Sequence, residues 1–447
     1  MTAYAELVPE TTVARVRAPS VQPAEPWPVV VLVAFRFSFL YFGLYVLFTQ
    51  MLYDLLAIPG FEIDLGKAPP MRNLVMWIGH SVLHVKPILA PTGSGDTLYD
   101  WTQALTMLVL AIAGTVVWSL VDRHATNYDR LSKWLRLFIR FALGASLLDY
   151  GFSKLIPLQM PVTFLSKLLE PYGNFSPMGV IWYSIGAAPG YEMFIGFAEV
   201  LAGTLLILPR TTLLGGLISF GVTTGVFVVN MTYDVPVKLF AFHLVVMSLV
   251  VIAPDVSRLN NLFLLNRPVV PRTPPRFGRS PQANRRWLIG TLVFAFWLLG
   301  SNVYQHAQGW KVYGGGAPKS ALFGIWDVET MSIDGVLHPP LLTDSTRYSH
   351  AVFQSPIGMT LQKMDQTFQR YATTIDTIKR TISLKKAPTD STWKATLAYQ
   401  RPTPTQLSLE GDVDGKHIQM LMTLHDLNKF LLVSRGFNWI QEQPFNR

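Results

Sequence analysis

Residues 135–156, LRLFIRFALGASLLDYGFSKLI, make an apolar run long enough to cross a bilayer, yet they carry Arg136, Arg140, Asp149 and Lys154. A spanning helix needs about 20 largely apolar residues, because each adds ~1.5 Å across a hydrocarbon core ~30 Å thick. An ionisable group at mid-membrane costs at least ~2.5 kcal/mol on insertion scales, so such groups turn toward protein partners. At ~100° per residue, Arg140, Gly144, Gly151 and Lys154 fall within about one helical face, and Asp149 points the other way. The stretch predicts a membrane helix enclosed by other helices.

Its natural partner is the next apolar run, 188–208, where Glu192, Gly196, Glu199 and Gly203 share one face by the same arithmetic. Glycines let helix backbones approach closely. The antiparallel pairing predicts Arg140 opposite Glu199 toward one membrane surface and Lys154 opposite Glu192 near the other. Arg36 and His243 are further ionisable groups inside apolar runs. Arg36, Arg140, Lys154, Glu192, Glu199 and His243 together form the candidate site for a cofactor, proton or ligand. The competing reading is that they fix helix registry as buried ion pairs.

Further apolar runs at 29–52, 99–121, 213–233, 237–252 and 287–304 bring the expected spans to seven. The composition agrees: 50% of the 447 residues are hydrophobic and 15% are charged, against roughly 25% charged in a soluble domain. The formal charge of +9 comes from Lys and Arg in short loops, not from one basic face, so it reads as membrane topology and not as nucleic-acid binding. Alternate loops are basic: Arg123, Arg130, Lys133 and Arg136, then Arg210, then Arg258, Arg267, Arg272, Arg276, Arg279, Arg285 and Arg286. This places the N-terminus in the cytoplasm and everything after Tyr304 outside a bacterial cytoplasmic (inner) membrane. The polar first 27 residues lack the pattern of a cleavable signal, so the first span is expected to remain as an anchor.

The expected organisation is a cytoplasmic tail (1–28), two spans with an outside loop (29–134), a four-helix bundle (135–255), a basic Pro-rich cytoplasmic linker (256–286), a seventh span (287–304) and an extracytoplasmic β-rich domain (315–447). In that last region, FGIWDVETM, TRYSHAVF, GMTLQKM, TISLKK, WKATLAY, QLSLEGDV, KHIQMLMTL and KFLLVSRGF alternate with period two. Asp334-Gly335 and Asp414-Gly415 are hairpin-turn dipeptides. These features predict one antiparallel barrel or sandwich. The Gly324-x-Trp326 start resembles that of lipocalin-like barrels. The outside loop at 71–85 (MRNLVMWIGHSVLHV) reads as an amphipathic interfacial helix, and the aromatic, Pro-rich loop 157–186 sits at headgroup level.

Little points to a catalytic motif. There are no cysteines, so disulfides, thiolate metal sites and Cys-based redox chemistry by the polypeptide itself are excluded. No P-loop, GxGxxG after a strand, or GxSxG occurs. His80 and His84, one helical turn apart, are the candidate metal or haem ligands, and the bland alternative is a pair of interfacial histidines. Asp96 and Asp100 are expected to cap the helix that follows them. His338, His350, His417 and His425 show no ligand spacing.

The motif RFALGASLLDYGFSKL at 140–155 is similar to the opening helix of DoxX-like membrane proteins, in which an Arg, a Leu-Gly and a Tyr/His-Gly-x-x-Lys-Leu recur. FAEVLAGTLLIL at 197–208 resembles that family's second helix, with a Glu before a Gly. The resemblance covers 140–255, about a quarter of the chain, and it puts Arg140, Lys154 and Glu199 at the family's charged positions. It implies a four-helix bundle associated with quinone-linked or thiol-linked redox systems; members include a subunit similar to the small chain of a thiosulfate:quinone oxidoreductase. This chain departs from the family by two N-terminal spans, a seventh span and the β-domain. RFSFLYFGLYVL, from Arg36, faintly echoes the first motif without its Lys.

Two functional readings follow. A redox subunit or accessory, with its β-domain docking an extracytoplasmic or membrane partner, predicts an apolar slot open to lipid with one or two polar anchors for a quinone. A non-enzymatic envelope protein, whether assembly factor, cargo receptor or small-solute transporter, predicts in its transport form a polar cavity open to each side in turn.

Overall fold

The computed structural model describes residues 26–160, 162–269, 277–278, 280–386 and 393–446. Most of the expected tail at 1–28, and Arg272, Arg276 and Arg279, lie outside the described residues. The helices follow the apolar runs in chain order: α1 (Val29–Leu47), α2 (Met51–Leu56), α3 (Pro69–Ser81), α4 (Leu98–Val121), α5 (Asp129–Leu155), α6 (Leu165–Leu168), α7 (Pro177–Gly186), α8 (Pro189–Ile207), α9 (Thr212–Thr232), α10 (Lys238–Ile252), α11 (Val256–Leu259) and α12 (Pro281–Val312). Several start on chemistry that pre-forms a first turn. Thr97 and Asp100 close a capping box on α4, and Ser176-Pro177 and Ser280-Pro281 open α7 and α12 with a serine cap followed by proline.

Among the described residues, six helices are long and apolar enough to cross a membrane: α1, α4, α8, α9, the continuous segment from Lys238 through α11 to Leu264, and α12. The chain is therefore a membrane protein. Seven spans were expected, and α5 is the difference. At 27 residues it has the length, but its charges keep it from qualifying by composition. The reason is its position. Buried residues occur all around it, from Leu135 to Lys154, and α1, α2, α8, α10 and α12 contact it, so protein meets most of its surface.

Two expected boundaries change. The linker 256–286 is helical at both ends, since the sixth run continues to Leu264 and α12 begins at Pro281. The amphipathic helix expected at 71–85 ends at Ser81, because His84 takes a left-handed backbone, φ 55°. Its buried stripe of Met71, Val75 and Gly79 is spaced by one turn and faces α4, leaving Trp77 exposed.

The strands are β1 (Gly324–Ile333), β2 (Val336–Leu337), β3 (Tyr348–Phe353), β4 (Gly358–Lys363), β5 (Phe368–Asp376), β6 (Thr381–Lys385), β7 (Ala395–Thr403), β8 (Gln406–Val413) and β9 (Lys416–Leu424). Every neighbour pair is antiparallel, and β9 returns to β1, so eight strands close an up-and-down barrel with β2 appended to β1. Both expected turns form. Asp334 and Gly335, like Asp414 and Gly415, hold positive φ as a two-residue hairpin turn requires. One expected strand does not form: after Asp426, 429–437 passes through a 3-10 turn and a short helix, α13 (Leu431–Ser434). Its consecutive Phe430, Leu431, Leu432 and Val433 lack the alternation a strand needs. β5, which sequence reading missed, shows only Tyr371 and Thr373 as fully buried positions.

Trp326 sits in the barrel core without solvent exposure, its indole N–H donating to the Leu322 carbonyl at 2.9 Å, with Arg401 5.5 Å from the ring centroid. A bulge interrupts the β1–β9 ladder between Val328 and Thr330. The buried Arg347 guanidinium supplies donors there, to the carbonyls of Val328 (3.0 Å), Glu329 (3.1 Å), His338 (2.9 Å) and Tyr348 (2.7 Å). The barrel touches the helical half through the loop before α7: the Leu165 amide donates to Gln354 Oε1 at 2.8 Å, and Leu165 packs on Ile325 and Val352.

Arg347→Met leaves several buried carbonyls without donors and is expected to destabilise the barrel by roughly 2–4 kcal/mol, read by urea unfolding of Trp326 fluorescence. Asp344 yields a pH prediction. The Thr346 hydroxyl, His338 and the Thr346 and Arg347 amides hold its carboxyl well below the usual range. Its stabilising contribution is complete above the unfolded value of about 4 and disappears as pH falls through the folded one. The acid loss of barrel stability is therefore expected to be steeper in the wild type than in Asp344→Asn.

Candidate functional site

The site is built on the crossing of α5 and α8. A Cβ added to Gly203 would lie 2.7 Å from the Gly144 carbonyl oxygen, and one added to Gly196 would lie 2.6 Å from the Gly151 carbonyl oxygen. The two glycine faces meet backbone to backbone, as their spacing predicts. The charged residues pair differently from expectation. Gly151 lies against Glu199, and Lys154, one turn further along α5, places Nζ 2.7 Å from Glu199 Oε2 with both side chains buried. Lys154 also donates to the Tyr150 carbonyl at 3.2 Å.

Arg140 lies too far back along α5 to reach Glu199. It donates to the carbonyls of Leu206 and Ile207, both at 3.0 Å, where α8 ends with unpaired acceptors. Glu192 does not meet Lys154 either; one oxygen accepts the Met160 amide at 2.9 Å, and the other has no partner among the described residues.

Beside the Lys154–Glu199 pair lies a cavity of about 340 Å³, bounded by α5, α7, α8, α9 and α10. Its lining is mostly apolar, including Trp182, Phe194, Val226 and Phe240, with Lys154, Glu199, Gln159, Asn230, Ser146 and Thr223 among the polar groups. Gly221 and Gly225, one turn apart on the exposed side of α9, have open space where a side chain would stand, next to the exposed Phe194. Both glycines also line the cavity, which is thus open at this exposed face of α9.

The other candidates lie apart. Arg36 joins α1 to α4 and the following loop, donating to Tyr128 Oη (3.0 Å), Ser119 Oγ (2.9 Å) and the Asp122 carbonyl (2.8 Å). His243 stacks on Tyr45 with centroids 3.8 Å apart; its Nδ1 donates to the Leu239 carbonyl, which leaves Nε2 to accept from Tyr41 Oη at 2.7 Å. These two read as registry groups. His80 and His84 are not on one helix, and no group of three potential metal ligands occurs among the described residues. Asp100 caps α4 as expected, whereas Asp96 caps α10, accepting from the amides of Lys238 (2.7 Å) and Leu239 (2.9 Å).

Sequence reading missed a second polar layer where α5 meets α2 and α12. Ser146 donates to the buried Asp54 at 2.6 Å, Gln50 to Tyr150 Oη at 2.9 Å, and Tyr53 to Gln305 at 2.8 Å, while His306 lies 3.7 Å from Asp149. The available signal was Asp54 between apolar residues just past the expected end of the first span.

No protein family matches the chain, and no solved structure matches it. An uncharacterized protein of Bacillus subtilis (strain 168), YwoB, is 33% identical over 84 residues, which is 19% of this chain and 54% of that protein. The chain thus spans about half the length of this curated relative.

Removing one member of a buried ion pair leaves an uncompensated charge, so Lys154→Met is expected to cost about 3–5 kcal/mol. The double variant Lys154→Met with Glu199→Leu is expected to recover most of that loss in thermal unfolding in detergent. A double variant as unstable as the single one contradicts a pairwise role.

Proposed function

We propose that this chain is a DoxX-like membrane subunit or accessory of a quinone-linked redox complex. It crosses a bacterial inner membrane seven times, α5 included, with its N-terminus cytoplasmic and its barrel outside, where the barrel docks a partner. The basic loops support the orientation, since Lys and Arg are retained on the cytoplasmic side.

The observation that carries the functional reading is the cavity beside Lys154 and Glu199. A quinone is mostly hydrocarbon with two carbonyl acceptors, so its site needs an apolar slot open to lipid and a few fixed donors. An ammonium has three N–H groups; Lys154 directs two to Glu199 and the Tyr150 carbonyl, leaving one for a quinone oxygen. Glu199 holds that ammonium in place within an apolar surrounding. The bound group supplies the electron chemistry, and the polypeptide binds, orients and excludes water. A transporter would call for a polar cavity reaching both sides, whereas this one is dominated by aromatic and aliphatic side chains.

The test is quantification of quinone copurified with the full chain from native membranes in gentle detergent. Wild type is expected to retain a stoichiometric quinone. Gly221→Leu with Gly225→Leu, which blocks the opening, and Lys154→Met with Glu199→Leu, which removes the anchor, are each expected to lose it while remaining folded. A quinone-free wild type, or full retention in both variants, overturns the reading.

A further inference from the structure

A second, larger cavity of about 990 Å³ lies at the other end of the bundle, bounded by the start of α1, the first half of α5, the α8–α9 connection and the α10–α11 junction. Trp134 near the start of α5 contacts Trp287 near the start of α12, and His306 near the end of α12 approaches Asp149. These two helices therefore run parallel, and the barrel that follows α12 is at the end opposite this cavity.

Its charge is one-sided. Among the described residues, Lys133, Arg136, Arg140, Arg210 and Arg258 line it against one carboxylate, Asp255, so five cations less one anion leave a formal excess of four there. Asp255 is buried and held by both Arg136 and Arg258 at 2.8 Å each. Those contacts fix two guanidinium groups at the cavity wall. Lys133 and Arg210 are exposed at its edge. The lining also carries an apolar part, with Trp27, Val31 and Phe35 at the start of α1 and Leu213 after Arg210.

We propose that this cavity binds the phosphodiester headgroup of an anionic phospholipid, with the first acyl carbons against the apolar wall. Arg and Lys supply the fork and point charges that phosphate oxygens accept. A basic pocket between the ends of membrane helices is where such a headgroup sits at the depth of its own leaflet. The volume also favours a lipid over a bare ion. A water occupies about 30 Å³ of liquid, so inorganic phosphate would leave most of the space and all of the apolar wall unused.

The experiment is native mass spectrometry of the delipidated full-length chain, titrated in mixed micelles with phosphatidylglycerol or phosphatidylcholine. Wild type is expected to retain phosphatidylglycerol preferentially. Lys133→Gln with Arg210→Gln, both exposed and outside the helix contacts, is expected to lower that retention at least about tenfold, with phosphatidylcholine unaffected and the melting temperature unchanged. Val31→Trp, which narrows the apolar wall, gives a second readout in the same direction independent of charge. Equal retention of the two lipids, or unchanged retention in both variants, overturns the proposal. Displacement of the lipid by an equal concentration of inorganic phosphate also overturns it and identifies a free anion site.

Discussion

The helical half depends on the backbone-to-backbone crossing of α5 and α8. Gly144, Gly151, Gly196 and Gly203 remove the side chains that would hold these helices apart, and a separation greater by one methyl group would pull Lys154 away from Glu199. Burial of that pair then imposes a condition on everything around it. A helix carrying Arg140, Asp149 and Lys154 cannot face hydrocarbon, so α1, α2, α8, α10 and α12 enclose it. Each charge has its own solution. Lys154 has a carboxylate, Arg140 has the terminal carbonyls of α8, and Asp149 lies near His306 of α12.

The same crossing explains why the two cavities lie where they do. Toward the barrel end, the Lys154–Glu199 pair becomes part of the wall of a mostly apolar slot that Gly221 and Gly225 of α9 also line. Toward the far end, the described lining of a wide recess carries five basic side chains and one aspartate, Asp255. The barrel is fixed to the slot end by α6, through Leu165 against Ile325 and Val352. Contacts made by the barrel can thus bear on the loop that leads into α7 and the slot wall.

Much of this was legible in the sequence because membrane helices and alternating strands leave strong periodic signals. The glycine faces of α5 and α8, six of the apolar runs and the two Asp-Gly turns follow from spacing alone. What spacing could not supply was translational register. Arg140 and Lys154 lie on one face, and only the axial offset between α5 and α8 decides which of them meets Glu199. Asp96 illustrates the same limit, since its partners at Lys238 and Leu239 are remote in sequence. Asp54 went unseen because α2 is a short helix beyond the first span, and Arg347 because a buried arginine bonded to carbonyls has no acidic partner to betray it.

In the proposed topology α5, charged as it is, crosses the membrane because its neighbours are protein. The chain has no cysteine, so single cysteines at the exposed positions His124, before α5, and Ile378, in the barrel, can each be tested with a membrane-impermeant maleimide on intact spheroplasts and after permeabilisation. With α5 in the membrane, five crossings separate the two positions, and His124→Cys is expected to label only after permeabilisation while Ile378→Cys labels at once. Labelling of both from the same side would leave an even number of crossings between them and remove α5 from the bilayer.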